Sequence, residues 1–98
     1  MQNCSRTRAI CKWKDKSAVT EETLEKISRL FDGASGEEGV EKAELIRNCV
    51  DRENRFDLMI RIHMRKDALE NWDRSAIHRR WKEEYGDLIE KKTIFDEE

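Results

Sequence analysis

Three observations predict an α+β domain of order βαββαβ. Residues Phe56–Met64 alternate with period two: Phe56, Leu58, Ile60, Ile62 and Met64 take one side, and Asp57, Met59, Arg61 and His63 the other. Such alternation marks a strand with two unlike faces. Ala68, Leu69, Trp72, Ile77, Trp81 and Tyr85 then recur at helical spacing, and Lys91–Asp96 reads as a short closing strand. The front half of the chain repeats this strand–helix–strand shape. Two such units place two helices on one face of a four-stranded antiparallel sheet, the ferredoxin-like arrangement.

In chain order, residues 1–5 are polar and expected to be disordered. Thr7–Trp13 is the first strand, with Ala9, Cys11 and Trp13 opposite Arg8, Ile10 and Lys12. Thr20 is placed to cap a helix whose first turn holds Glu21 and Glu22, where the helix dipole favours carboxylates. Thr23 stands where a reciprocal capping box would have Glu, so no box is expected. Leu24, Ile27, Leu30 and Phe31 form the buried stripe, and Gly33 is expected to end the helix in the left-handed conformation. Gly33, Gly36 and Gly39 follow a helix rather than a strand and no Lys-Ser/Thr pair comes after them, so they read as a connecting loop and not a phosphate cradle. Val40–Asn48 is the second strand and Arg55–Met64 the third. Asp67 can cap the second helix. Its apolar stripe changes phase between Trp72 and Ile77, which predicts a bend near Asp73–Ser75, and Gly86 interrupts or ends it.

The 98 residues make one domain, 1–98, with a thin core that buries roughly 60–65% of the unfolded surface. The chain is 37% hydrophobic and 43% charged, polar for its size, yet its aromatic residues sit inside periodic segments, which argues against disorder. The net charge of −2 gives no nucleic-acid footprint, and the cluster His78-Arg79-Arg80 with Lys82 runs straight into Glu83 and Glu84. Cys4, Cys11 and Cys49 are odd in number and match no zinc spacing, which points to a reducing, cytoplasmic compartment. No apolar run is long enough for a signal peptide or a membrane span, so no membrane partner is expected. One face of the sheet is left without helices. On so small a chain its expected cover is the same face of a second copy, giving a homodimer.

Two histidines carry the chemical interest. His78 has the residue type of a general base near neutral pH. The alternative is that it bonds a backbone carbonyl and holds the helix bend. His63 and Arg61 share the strand side opposite Leu58 and Ile60, and they would line a polar cavity for an anionic or phenolic ligand. Trp13 and Trp72 would supply its aromatic walls. The alternative for Arg61 is an ion pair with an acidic side chain at a dimer interface. Two histidines on different elements do not suggest a metal site, no haem or flavin signature is visible, and no cofactor is expected. Cys11 reads as a small buried hydrophobe, and Lys91 and Lys92 as solvated strand ends.

The chain resembles the stress-responsive dimeric α/β-barrel (Dabb) family. It is also similar to the wider group that includes antibiotic-biosynthesis monooxygenases and a plant polyketide cyclase. The likeness spans about residues 8 to 96. It rests on Lys12-Trp13-Lys14, Ile46-Arg47-Asn48, Phe56-Asp57, Ala68-Leu69, the run from Trp72 to His78, and Ile94-Phe95-Asp96. The family's His-Pro turn is Ser75-Ala76 here, and its early histidine falls at Thr7. The polyketide cyclase carries tyrosine where Trp72 stands, so its tyrosine–histidine pair does not exist in that form. The resemblance implies dimerisation, with the two sheets closing into an α/β barrel. Two functions follow. One is a small aromatic or polyketide-like ligand bound in a cavity within each subunit. The other is a cofactor-free cyclase, proton-transfer or monooxygenase-type enzyme with His78 as acid/base.

Overall fold

The computed structural model describes residues 4–50, 52 and 54–97. Its elements are β1 (Cys4–Trp13), α1 (Glu21–Asp32), β2 (Val40–Arg47), β3 (Leu58–Arg65), α2 (Leu69–Arg74), α3 (Ala76–Tyr85) and β4 (Ile89–Glu97). This is βαββαβ order with the second helix in two pieces. Residues 1–3 of the expected disordered end lie outside the described residues, and β1 already starts at Cys4. The strands lie in the order β2-β3-β1-β4, and every neighbouring pair is antiparallel.

The closed α/β barrel expected from the sequence is not what the chain forms. Its sheet is open, with β2 and β4 as edges that do not pair with each other. Closure requires every strand to be paired on both sides. Four strands in this order leave one side of β2 and one side of β4 without a partner strand.

Alternation along β3 decides the two faces. Leu58, Ile60, Ile62 and Met64 are buried, while Met59, Arg61 and His63 are half-buried. The register carries the pattern sideways: Ile62 stands beside Thr7 and Ala43, and Ile60 beside Ala9 and Leu45. The helices cover this side, and Ile27, Leu30 and Phe31 of α1 with Trp72 and Trp81 complete the core. Phe31 meets Trp81 edge-on at 5.4 Å and Trp72 at 6.2 Å between ring centroids. Burying side chains of this size supplies about 1.5–3 kcal/mol each before entropy is subtracted.

The helix ends differ from expectation in two places. Thr20 and Thr23 do form a reciprocal capping box, because a threonine hydroxyl also accepts from the cap N–H, at 3.4 Å. Gly33 is right-handed at φ −79°, and the chain runs on as a 3-10 turn through Gly36. Ala34 is fully buried there, which keeps the turn wound against the core. The left-handed glycine is Gly39, at φ +84°.

The helix-free side carries a mesh of charges around an apolar row. Ile46, Met59, Ile10 and Thr93 stand side by side across all four strands. Beside them Glu44 bonds both Arg61 and His63, and Glu97 bonds both Arg6 and Arg8. Arg6 Nε donates to His63 Nδ1 at 3.1 Å. An arginine only donates and a carboxylate only accepts. In this geometry His63 accepts at Nδ1 and turns Nε2 toward Glu44.

Candidate functional site

The break between α2 and α3 builds the site. Ser75 takes extended dihedrals (φ −66°, ψ 154°), which ends one helix and caps the next. Its Oγ donates to the Trp72 carbonyl at 2.7 Å and accepts from the His78 N–H at 3.2 Å. One buried hydroxyl thus fixes the spacing of Trp72 and His78. His78 Nδ1 is 3.1 Å from the Asp73 carbonyl, which can only accept, so the proton sits on Nδ1. The neutral ring then has its lone pair on Nε2. The Trp72 and His78 rings are 5.8 Å apart.

His78 lines a cavity of about 360 Å³ between the helices and the sheet. That lies within the size range of small-molecule sites. Phe31, Trp72 and Trp81 give it aromatic walls, and Ala9, Ile60, Ile62 and Ile94 form its apolar floor. Its polar groups are Thr7, Asp73, His78, Lys82, Lys92 and Asp96. The Thr7 hydroxyl donates to Asp96 at 2.7 Å. A second hollow, about 410 Å³, lies toward the helix-free side between Ile10, Ile46, Met59 and Phe56, with no histidine on its walls.

Burial pushes the His78 pKa below its ordinary value, and the bond to the Asp73 carbonyl only partly offsets this. Near neutral pH the ring is a base with an open nitrogen. On the helix-free side, the Arg61 and His63 hydrogen bonds hold the Glu44 carboxyl at about 2. Burial raises the Cys11 thiol to about 11, which makes it a poor nucleophile at neutral pH.

Cys11 yields a pH prediction. Its folded pKa lies above the unfolded value near 9, so above pH 9 the unfolded chain ionises first. The thiol's contribution is complete below pH 9 and is lost between pH 9 and about 11. Urea midpoints measured across that window should fall for the wild type and fall less for Cys11→Ala. Parallel slopes in the two proteins would refute this.

The structure separates the residues that the sequence grouped. Trp72 and His78 share the cavity. Arg61 and His63 lie on the opposite side of the sheet, where both bond Glu44. Trp13 packs in the core, its backbone N–H donating to Asp57 at 2.9 Å, and it does not line the cavity. Thr7, Lys82, Lys92 and Asp96 were not singled out for a site. The signal was present: Lys92, Ile94 and Asp96 share one parity, and Lys82 follows His78 by one helical turn. Among the described residues no group of three His, Cys, Asp or Glu is placed to hold a metal ion. No described helix is long and apolar enough to cross a membrane.

No protein-family model and no curated protein matches the chain. Solved structures do match, and they define a ferredoxin-like fold. Over 98% of its length the chain is similar to a dimeric ferredoxin-like protein of unknown function from Thermobifida fusca. The identity is 11%, 91% of that chain is covered, and the TM-score is 0.79. A hydroxynitrile lyase from Passiflora edulis is 12% identical over 98% of this chain and 93% of its own, with a TM-score of 0.76. A Dabb-family protein with a ferredoxin-like fold from Mesorhizobium loti is 16% identical over 97% and 95%, with a TM-score of 0.64. At these identities the likeness is one of fold.

Proposed function

We propose that this chain is a dimeric ferredoxin-like protein of the Dabb type that binds a small aromatic or polyketide-like molecule in the cavity beneath its helices. One observation carries the reading. His78 is held by its Nδ1–H so that Nε2 keeps a lone pair, on a ring lining a cavity walled by Phe31, Trp72 and Trp81. Aromatic walls favour a flat apolar ligand, and a single fixed acceptor orients it. The free thiols Cys11 and Cys49 fit a cytoplasmic setting.

Titration with 1-naphthamide, a neutral aromatic probe, tests the reading through the imidazole nitrogen shifts. His78 should move and His63, on the other side of the sheet, should not. Movement of neither ring, with this probe or with its charged counterpart 1-naphthoate, overturns the ligand site. His78→Ala should cost about 1 kcal/mol or less, since the lost bond to Asp73 is solvent-exposed. It should also weaken the probe's effect on Trp72. A large fall in the urea midpoint with unchanged binding would make His78 a structural residue instead.

The second reading is a cofactor-free enzyme in which Nε2 takes a proton from the substrate. Its neutral state near pH 7 favours this, and a hydroxynitrile lyase shares the fold. Loss of turnover in His78→Ala with the fold intact would support it.

The partner in assembly is a second copy, docked through the helix-free side, where Ile10, Ile46 and Met59 form an apolar row. The Thermobifida fusca and Bacteroides fragilis structures of this fold are both described as dimeric. Sedimentation equilibrium should give twice 11.7 kDa at micromolar concentration. A stable monomer would end this part of the reading.

A further inference from the structure

We infer that the cavity selects a ligand with an acidic group, an aromatic carboxylic acid or a phenol, and that Lys82 and Lys92 hold its anion beside His78. The inference rests on the cavity being a ligand site, as proposed above. Lys82 follows His78 by four residues on α3, so the two side chains share one helix face. Lys92 comes from the opposite wall. It pairs in register with Cys11, whose side chain is fully buried, so it points to the helix-covered side of β4. Both lysines are exposed and line the cavity, and a nearby carboxylate would be the ordinary partner of such a cation. Here neither Lys82 nor Lys92 has an ion pair or hydrogen bond among the described residues.

The two carboxylates of the cavity do not supply that partner. Asp96 accepts the Thr7 hydroxyl, and Asp73 gives its backbone carbonyl to His78. Neither is ion-paired to either lysine. Around the imidazole, Lys82 and Lys92 act against the single carboxylate of Asp73, and this helps to keep the ring neutral. A carboxylic acid arrives ionised at neutral pH and needs only the two ammonium groups. A phenol passes its O–H proton to Nε2, so phenolate and imidazolium form together and no further reactant is required.

The experiment compares 1-naphthoate with 1-naphthamide, which match in shape and differ in charge, by titration against the His78 imidazole shift. Naphthoate should bind about tenfold tighter, the scale of a charge-assisted contact. Lys82→Gln and Lys92→Gln should each remove most of that preference, read as the ratio of the two affinities in each variant. Lys92→Arg should keep the preference. Lys91→Gln, on the helix-free side, should leave both affinities as they are. Equal affinity for the two probes, or a preference that survives both glutamine substitutions, overturns the inference while the ligand site stands. Failure of both probes to bind overturns the ligand site and this inference with it.

Discussion

Replacing Trp72 with alanine should cost the fold about 3–5 kcal/mol, the range for deleting a large buried ring. Trp72 is 2% exposed and packs on Phe31 and His78. It is the buried side chain of α2, a helix of only six residues that holds little structure by itself. The loss is a large part of the total stability of a small domain. Ser75 bonds the backbone carbonyl of residue 72, so the break itself should survive. The cavity would widen, and 1-naphthamide should lose its effect on His78. Urea unfolding followed by the amide circular dichroism measures the first effect. A cost under about 1.5 kcal/mol would show that α2 is anchored by something other than this ring.

Gly39→Ala should be nearly as damaging, at about 2–4 kcal/mol. Gly39 has φ +84°, which L side chains rarely adopt, and a Cβ built there falls 2.6 Å from the Ala68 Cβ. Ala68 is itself 3% exposed and cannot swing away. The Gly39 carbonyl also accepts from the Arg65 N–H at 2.7 Å, which ties the start of β2 to the end of β3. Moving the backbone to relieve the clash would strain that bond. Gly36 is the control: a Cβ there meets nothing within 4 Å. Gly36→Ala should be neutral or slightly stabilising, through the entropy of the unfolded chain. Equal costs at the two glycines would refute the argument.

The elements were legible where one side of an element is apolar and the other is not. β3 was read from its alternation, and the break at Ser75 from the phase change between Trp72 and Ile77. The end of α1 was not. A glycine after a helical stripe suggests a left-handed stop, but burial of Ala34 kept the turn right-handed and moved that conformation to Gly39. The capping box was missed because its third residue is threonine rather than glutamate. Trp72 and His78 were singled out on the family resemblance rather than on spacing, and both line the cavity. Arg61 and His63 were expected on a cavity wall, and the structure puts them on the helix-free side, where both bond Glu44. The side opposite the helices was expected to enclose the ligand inside a barrel, whereas the cavity lies under the helices. Lys82 and Lys92 escaped notice because a lysine in a charged chain reads as solvated, and only the fold shows which wall it stands on.

The mesh on the helix-free side gives the molecule an electrical polarity that its near-neutral total conceals. Register places Arg6, Arg8, Lys12, Lys42, Arg61, Arg65 and Lys91 on that side against Glu44 and Glu97, a surplus of five positive charges. The whole chain is −2, so the remainder carries −7. Two copies meeting through this side bring like surpluses together, and attraction has to come from the apolar row between them. Added salt shields the repulsion over about 8 Å at physiological ionic strength and leaves apolar contact intact. Self-association should therefore tighten as ionic strength rises from a few millimolar, the reverse of an interface held by pairing of opposite charges.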